Sequence, residues 1–191
     1  MTGKPLNASR GDVSNNFEAP LLTRTKVINM AVWQYNLIVV PEESIQSDYE
    51  CIFKTNKTEF IPETTAFWKN SNLNILSIAS EIDKLINRAD WSDDEHLAWK
   101  SNGDEDNDCY IYLNEMNKID SFQFRTDLRN EVNILNFLGG MLKICKTNNL
   151  LLINLKGEIL EPKLEVIAEN LKTSNAMSFL KDPIKFLESL K

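Results

Sequence analysis

Large apolar residues first become regular at Ala31. From there to Val40 the chain is β-rich, with Trp33, Tyr35, Leu37 and Val39 sharing one face. Its unbroken apolar end, Leu37 to Val40, is the pattern of a central strand covered on both sides, and Pro41 stops it. From Asn72 the period lengthens. Ile75, Ile78, Ile82, Leu85 and Ala89 recur at steps of three and four, which predicts an amphipathic helix over 72–89. Two strands are expected at Cys109–Asn114 and Lys118–Thr126, and the short link Asn114-Glu115-Met116-Asn117 makes them a hairpin. A second helix follows from Leu128 to Cys145, with Ile134, Leu138, Met141 and Cys145 in one stripe, and Leu150–Asn154 reads as a further strand. Pro162 suits the first turn of a helix whose Leu164, Ile167, Ala168 and Leu171 face inward. Asp182-Pro183 starts a last short helix with a side-chain cap.

The resulting order is β-α-β-β-α-β plus two C-terminal helices. That is an α+β chain with an antiparallel sheet in the split βαβ, ferredoxin-like order. Residues 1–29 hold Gly3, Pro5, Gly11 and Pro20 among small polar residues and show no period, so a loosely ordered extension is expected ahead of a single α+β domain at 30–191. Met30, just before the first strand, is a candidate translation start, which intact mass of the native product would test. Within 42–70, Glu50–Lys54 reads as a short strand and Phe67-Trp68 as an anchor to the core.

Composition narrows the setting. The 191 residues are 42% hydrophobic and 26% charged, ordinary values for a chain that buries a core. No apolar run approaches the roughly 18 residues that cross a bilayer, and no apolar region follows Lys4 and Arg10 as a secretory leader requires. Cys51, Cys109 and Cys145 are widely spaced and odd in number, which points to a reducing, cytoplasmic setting. The net charge of −7 is local. Asp90, Asp93, Asp94, Glu95, Asp104, Glu105, Asp106 and Asp108 fall within one segment beside Lys100 alone. This segment therefore carries the whole net charge, and acids and bases balance elsewhere.

Catalytic patterns are hard to assemble. His96 is the sole histidine, so no His-based metal triad or relay exists, and it reads as a solvated loop residue beside Asp93, Asp94 and Glu95. Asp104, Asp106, Asp108 and Glu115 have the spacing of a calcium loop, but Cys109 stands where the sharp turn needs glycine. Cys109 and Cys145 fall at core-facing positions and read as small buried hydrophobes. Gly139-Gly140 lies inside the second helix without a phosphate-binding pattern around it, so close packing against the sheet or a kink should compensate its cost. Tyr110 and Tyr112 alternate on one strand face as base-stacking residues would, yet the nearby charge is acidic and would repel phosphates, against nucleic acid. No cofactor or metal is expected.

What remains is the acidic stretch with its aromatics, read as one loop: Trp91, Asp93, Asp94, Glu95, Trp99, Asp104, Glu105 and Asp106. Such a run reads either as a solvated loop whose tryptophans turn inward to pin it on the core, or as a negative surface that attracts a basic protein partner, with a tryptophan as central anchor. The expectation is a protein-binding module, an antitoxin or immunity-type inhibitor that masks a cationic partner, rather than an enzyme. The alternative is a small carboxylate-dependent hydrolase or ligand-binding protein with a pocket beneath 42–70.

Overall fold

The computed structural model of the chain describes residues 31–45 and 64–190. Its strands are β1 (Gln34–Pro41), β2 (His96–Lys100), β3 (Asp108–Leu113), β4 (Ile119–Asp127), β5 (Leu150–Asn154) and β6 (Ile159–Leu160). Among the described residues they form one six-stranded sheet in the order β2-β3-β4-β1-β5-β6, and every neighbouring pair is antiparallel. Helical residues 42–45 follow β1 directly, and the further helices are α1 (Thr65–Trp68), α2 (Ile75–Ile82), α3 (Glu131–Asn133), α4 (Gly139–Thr147), α5 (Leu164–Lys172), α6 (Asn175–Lys181) and α7 (Pro183–Glu188), with a π-helical turn at Ile134–Leu138 joining α3 to α4. The protein is thus a mixed α+β structure. No helix among the described residues is long and apolar enough to cross a membrane.

The two faces of the sheet differ in chemistry. β1 is buried along its whole length, as its apolar run predicts. Leu37 pairs with Phe124 and Val39 with Phe122, and Cys109 and Ile111 continue these rows into β3. On that face Phe137 meets Phe124 edge-on at 6.1 Å, and Trp68 lies 6.4 Å from Phe122, so α1 and the π turn close the core. Phe67 and Trp68 are the core anchors the sequence suggests. Full burial of side chains such as Phe122 contributes about 1.5–3 kcal/mol each. On the other face, a polar row of Asn36, Arg125, Asp108 and Lys100 crosses four strands, whereas Ile38 and Ile153 keep the β1–β5 region apolar.

Several boundaries move for identifiable reasons. The helix expected over 72–89 ends at Ile82. Asp83 then accepts hydrogen bonds from Trp99 and Arg88, and the chain departs to run beside β2. The acidic stretch is not one loop, because β2 passes through its middle. The second helix is interrupted by the π turn, directly before Gly139-Gly140. A Cβ at Gly140 would lie 2.5 Å from Leu85, so the glycine permits close approach to the turn after α2, not to the sheet. The C-terminal region holds three helices where two were expected. The additional one, α6, starts where the Ser174 side chain accepts from the Met177 N–H. The Asp182 side chain caps α7 as anticipated, accepting from the Lys185 N–H at 3.0 Å with Pro183 in the first turn. The N-terminal extension 1–29, the strand at Glu50–Lys54 and Cys51 lie outside the described residues.

Candidate functional site

β2 divides the acidic segment into two turns, one at each end of the strand. The first, Asp90–Glu95, folds back along the outer edge of β2. The Asp93 N–H donates to the His96 carbonyl, and the Asp93 carboxylate accepts from the backbone N–H groups of Glu95 and His96 at 3.0 and 2.6 Å. Ser92 Oγ accepts from the Ala98 N–H, while the Ala89 N–H donates to Ala98 and the Lys100 N–H to Asn87. Apart from the Asp93–Glu95 bond inside the turn, each of these bonds occupies a group that an edge strand would otherwise leave open to another chain.

This first turn presents its side chains outward. Trp91 is 53% exposed, and Asp93, Asp94 and Glu95 are all exposed. No ion pair among the described residues reaches Asp90, Asp93, Asp94 or Glu95. The Leu113 N–H donates to the Glu95 carbonyl at 2.8 Å, which sets the β3–β4 hairpin turn beside it. That turn adds an exposed Glu115 and Met116. Asn117 takes the left-handed conformation there (φ 56°), and the Asn114 side chain accepts from the N–H groups of Met116 and Lys118.

The second turn is built to opposite effect. Its base is closed by the Ser101 N–H donating to Asn107 and the Asn107 N–H donating to Ser101 Oγ at 2.8 Å. Asp106 pairs with Lys100. Asp108, fully buried, accepts a two-pronged hydrogen bond from Arg125, and Lys100 lies 3.9 Å away. Burial pushes the Asp108 carboxyl up, against the pull of Arg125 and Lys100. Arg129 reaches both the Asp104 carbonyl and the Asp127 carboxylate. Burial would raise Asp127, but the Arg129 side chain and the N–H groups of Arg129 and Asp106 outweigh it and hold the carboxyl below its ordinary range. Of the acids here, Asp104 and Glu105 alone stay exposed.

The eight predicted site residues therefore do not share one surface. Trp91, Asp93, Asp94 and Glu95 form one tip. Asp104 and Glu105 form another, separated from it by the length of β2, roughly 15–20 Å at the rise of a strand. Asp106 is half-buried in its ion pair. Trp99 lies in the core, with its indole N–H on Asp83 at 2.7 Å and the Arg88 guanidinium 4.5 Å above the ring. The period-two spacing of Leu97 and Trp99 is the signal that marks this strand in the sequence. Glu115 and Met116 went unrecognised because their proximity to Glu95 arises only from strand pairing.

The remaining candidates fall into place individually. His96 is part of β2 instead of a loop, stacked on Tyr112 at 4.3 Å and on Tyr110 at 5.7 Å. Asp108 and Glu115 stand at opposite ends of β3, so the calcium-like spacing does not close around a common centre. Cys109 and Cys145 are both buried. Burial pushes Cys109 well above the ordinary thiol range and Cys145 up to about 12, which keeps both as thiols at neutral pH. Residues 46–63, above the pocket expected under 42–70, lie outside the described residues. Among the described residues a hollow of about 500 Å³ is lined by Glu42, Glu43, Asn72, Asn148 and Asn149, with the Glu42 N–H donating to the Asn149 carbonyl at 3.0 Å. A second hollow of about 300 Å³ sits at the other end of β1, where Tyr35 donates to Asn170 at 2.7 Å beneath Ala176 and Phe186. Comparison of the chain with models of protein families, with curated proteins and with solved structures finds no match.

Proposed function

We propose that the protein is a binding module for a basic protein partner and that the docking surface is the Asp90–Glu95 tip centred on Trp91. One observation carries this reading: a tryptophan more than half exposed on a turn whose carboxylates have no cation beside them among the described residues. Trp91 supplies the large apolar contact that dominates binding energy in many interfaces. Asp93, Asp94, Glu95 and the neighbouring Glu115 supply a field that accelerates encounter with a cationic surface and disfavours acidic ones. Asp104 and Glu105 extend the field without sharing the contact. The same charge opposes phosphate backbones and anionic lipid, which supports a protein partner in preference to nucleic acid or membrane.

Within this proposal the partner is a cationic protein that the module masks, as an immunity-type inhibitor would, and the setting is cytoplasmic. The frame that carries the tip is proposed to be ferredoxin-like. The inner order β3-β4-β1-β5 and the helices after β1 and after β4 support it, with β2 and β6 added as edge strands. The test is affinity capture from the native host with wild-type protein and with an Asp94→Lys, Glu95→Lys variant, repeated at rising salt. A basic protein held by wild type, released by salt and lost with the variant is the expected result. Equal retention by both proteins, or capture of acidic proteins alone, would rule out the tip as the docking surface.

A further inference from the structure

We propose that Asn102 is a modification site: it deamidates without an enzyme, through attack by the backbone nitrogen of Gly103, and so adds a negative charge to the second acidic turn. Asn102-Gly103 is the single Asn-Gly step in the sequence. Both residues are exposed, and no hydrogen bond among the described residues engages the Asn102 amide. Gly103 takes φ +72° with nothing within 4 Å of the position a Cβ would fill. Lacking a side chain, it leaves its nitrogen open to the neighbouring amide carbon and lets the backbone rearrange.

The chemistry balances with water alone. The Gly103 amide loses its proton to solvent base, and its nitrogen bonds to Asn102 Cγ. The side-chain amide nitrogen leaves as ammonia, which closes a five-membered succinimide. Water then opens the ring at either carbonyl and yields aspartate or isoaspartate. The turn is suited to tolerate the product, since the paired bonds between Ser101 and Asn107 close its base independently of Asn102. The other asparagines are different. Asn107 and Asn133 are buried and bonded to each other, Asn114 accepts two backbone N–H groups, and the residue after each carries a side chain. The new carboxylate would stand beside Asp104 and Glu105, the two acids of this turn that remain exposed.

The full chain is held folded at physiological temperature in neutral and in mildly alkaline buffer, then digested with trypsin. The peptide Ser101–Lys118 is sequenced by mass spectrometry and assayed for isoaspartate. The expected result is a gain of one mass unit at Asn102, faster at the higher pH, with isoaspartate present. The signal is lost in Asn102→Gln, whose longer side chain disfavours ring closure and which makes no contact that folding requires. An Asn102 unchanged in folded protein while the denatured chain reacts would overturn the proposal. So would modification that begins at another asparagine, such as Asn70.

Discussion

The two turns that flank β2 have similar acidity in sequence and opposite fates in the fold. The Asp90–Glu95 turn precedes the strand and faces outward at its edge, where no lysine or arginine among the described residues reaches it. The Ser101–Asn107 turn lies at the other end, against β4 and the start of α3. There Lys100, Arg125 and Arg129 take up Asp106, Asp108 and Asp127. Two acidic turns thus become an open negative tip in one place and an internal polar joint in the other. What decides is which elements the sheet brings alongside, not the number of acids. The tryptophans follow the same division: Trp91 emerges with the open turn, whereas Trp99 is fixed in the core by Asp83 and Arg88.

The sharpest way to break this contrast is on its buried side. Arg125→Ala should cost about 3–5 kcal/mol in denaturant unfolding, because it leaves the Asp108 carboxylate buried without its partner. Replacing both, as Asp108→Leu with Arg125→Met, should cost far less, and an equal cost would mean that packing rather than charge sets the penalty. Trp99→Ala should also lose about 3–5 kcal/mol as a core aromatic. A smaller effect comes from Asp127. Its folded pKa is depressed, so its stabilisation is in place above the ordinary aspartate range and declines as pH falls through the lower folded value. Asp127→Asn should therefore flatten the acid limb of a stability-versus-pH curve, and an unchanged limb would remove Asp127 from the joint. Smallest of all, Trp91→Ala should shift stability by no more than about 0.5 kcal/mol, as a surface residue does. A loss comparable to that of Trp99→Ala would place Trp91 in the core and end the docking reading.

Local chemistry made much of the frame legible. The apolar run of β1, the hairpin link Asn114–Asn117, the strand at Leu150–Asn154 and the Asp182-Pro183 cap each depend on neighbours in sequence, and each stands where the pattern puts it. β2 was hidden because its five residues are bracketed by carboxylates, so charge masked the alternation of Leu97 and Trp99. The end of α2 was hidden because it depends on Trp99 and Arg88 meeting Asp83, contacts that only the folded chain creates. For the candidate site, the sequence identified Trp91, Asp93, Asp94 and Glu95 as one group. It could not separate them from Asp106, since the lysine that neutralises Asp106 acts only once strand geometry orients it.

Docking at the tip requires Trp91 to stand in solvent within a negative field, and collisional quenching of its fluorescence measures that directly. Caesium and iodide are titrated against wild type and Trp91→Phe, and the Trp91 component is taken as the difference. The expected result is that caesium quenches this component more effectively than iodide and that the gap narrows as inert salt rises. Quenching by iodide equal to or above that by caesium, or a Trp91→Phe variant that loses no quenchable emission, would contradict it.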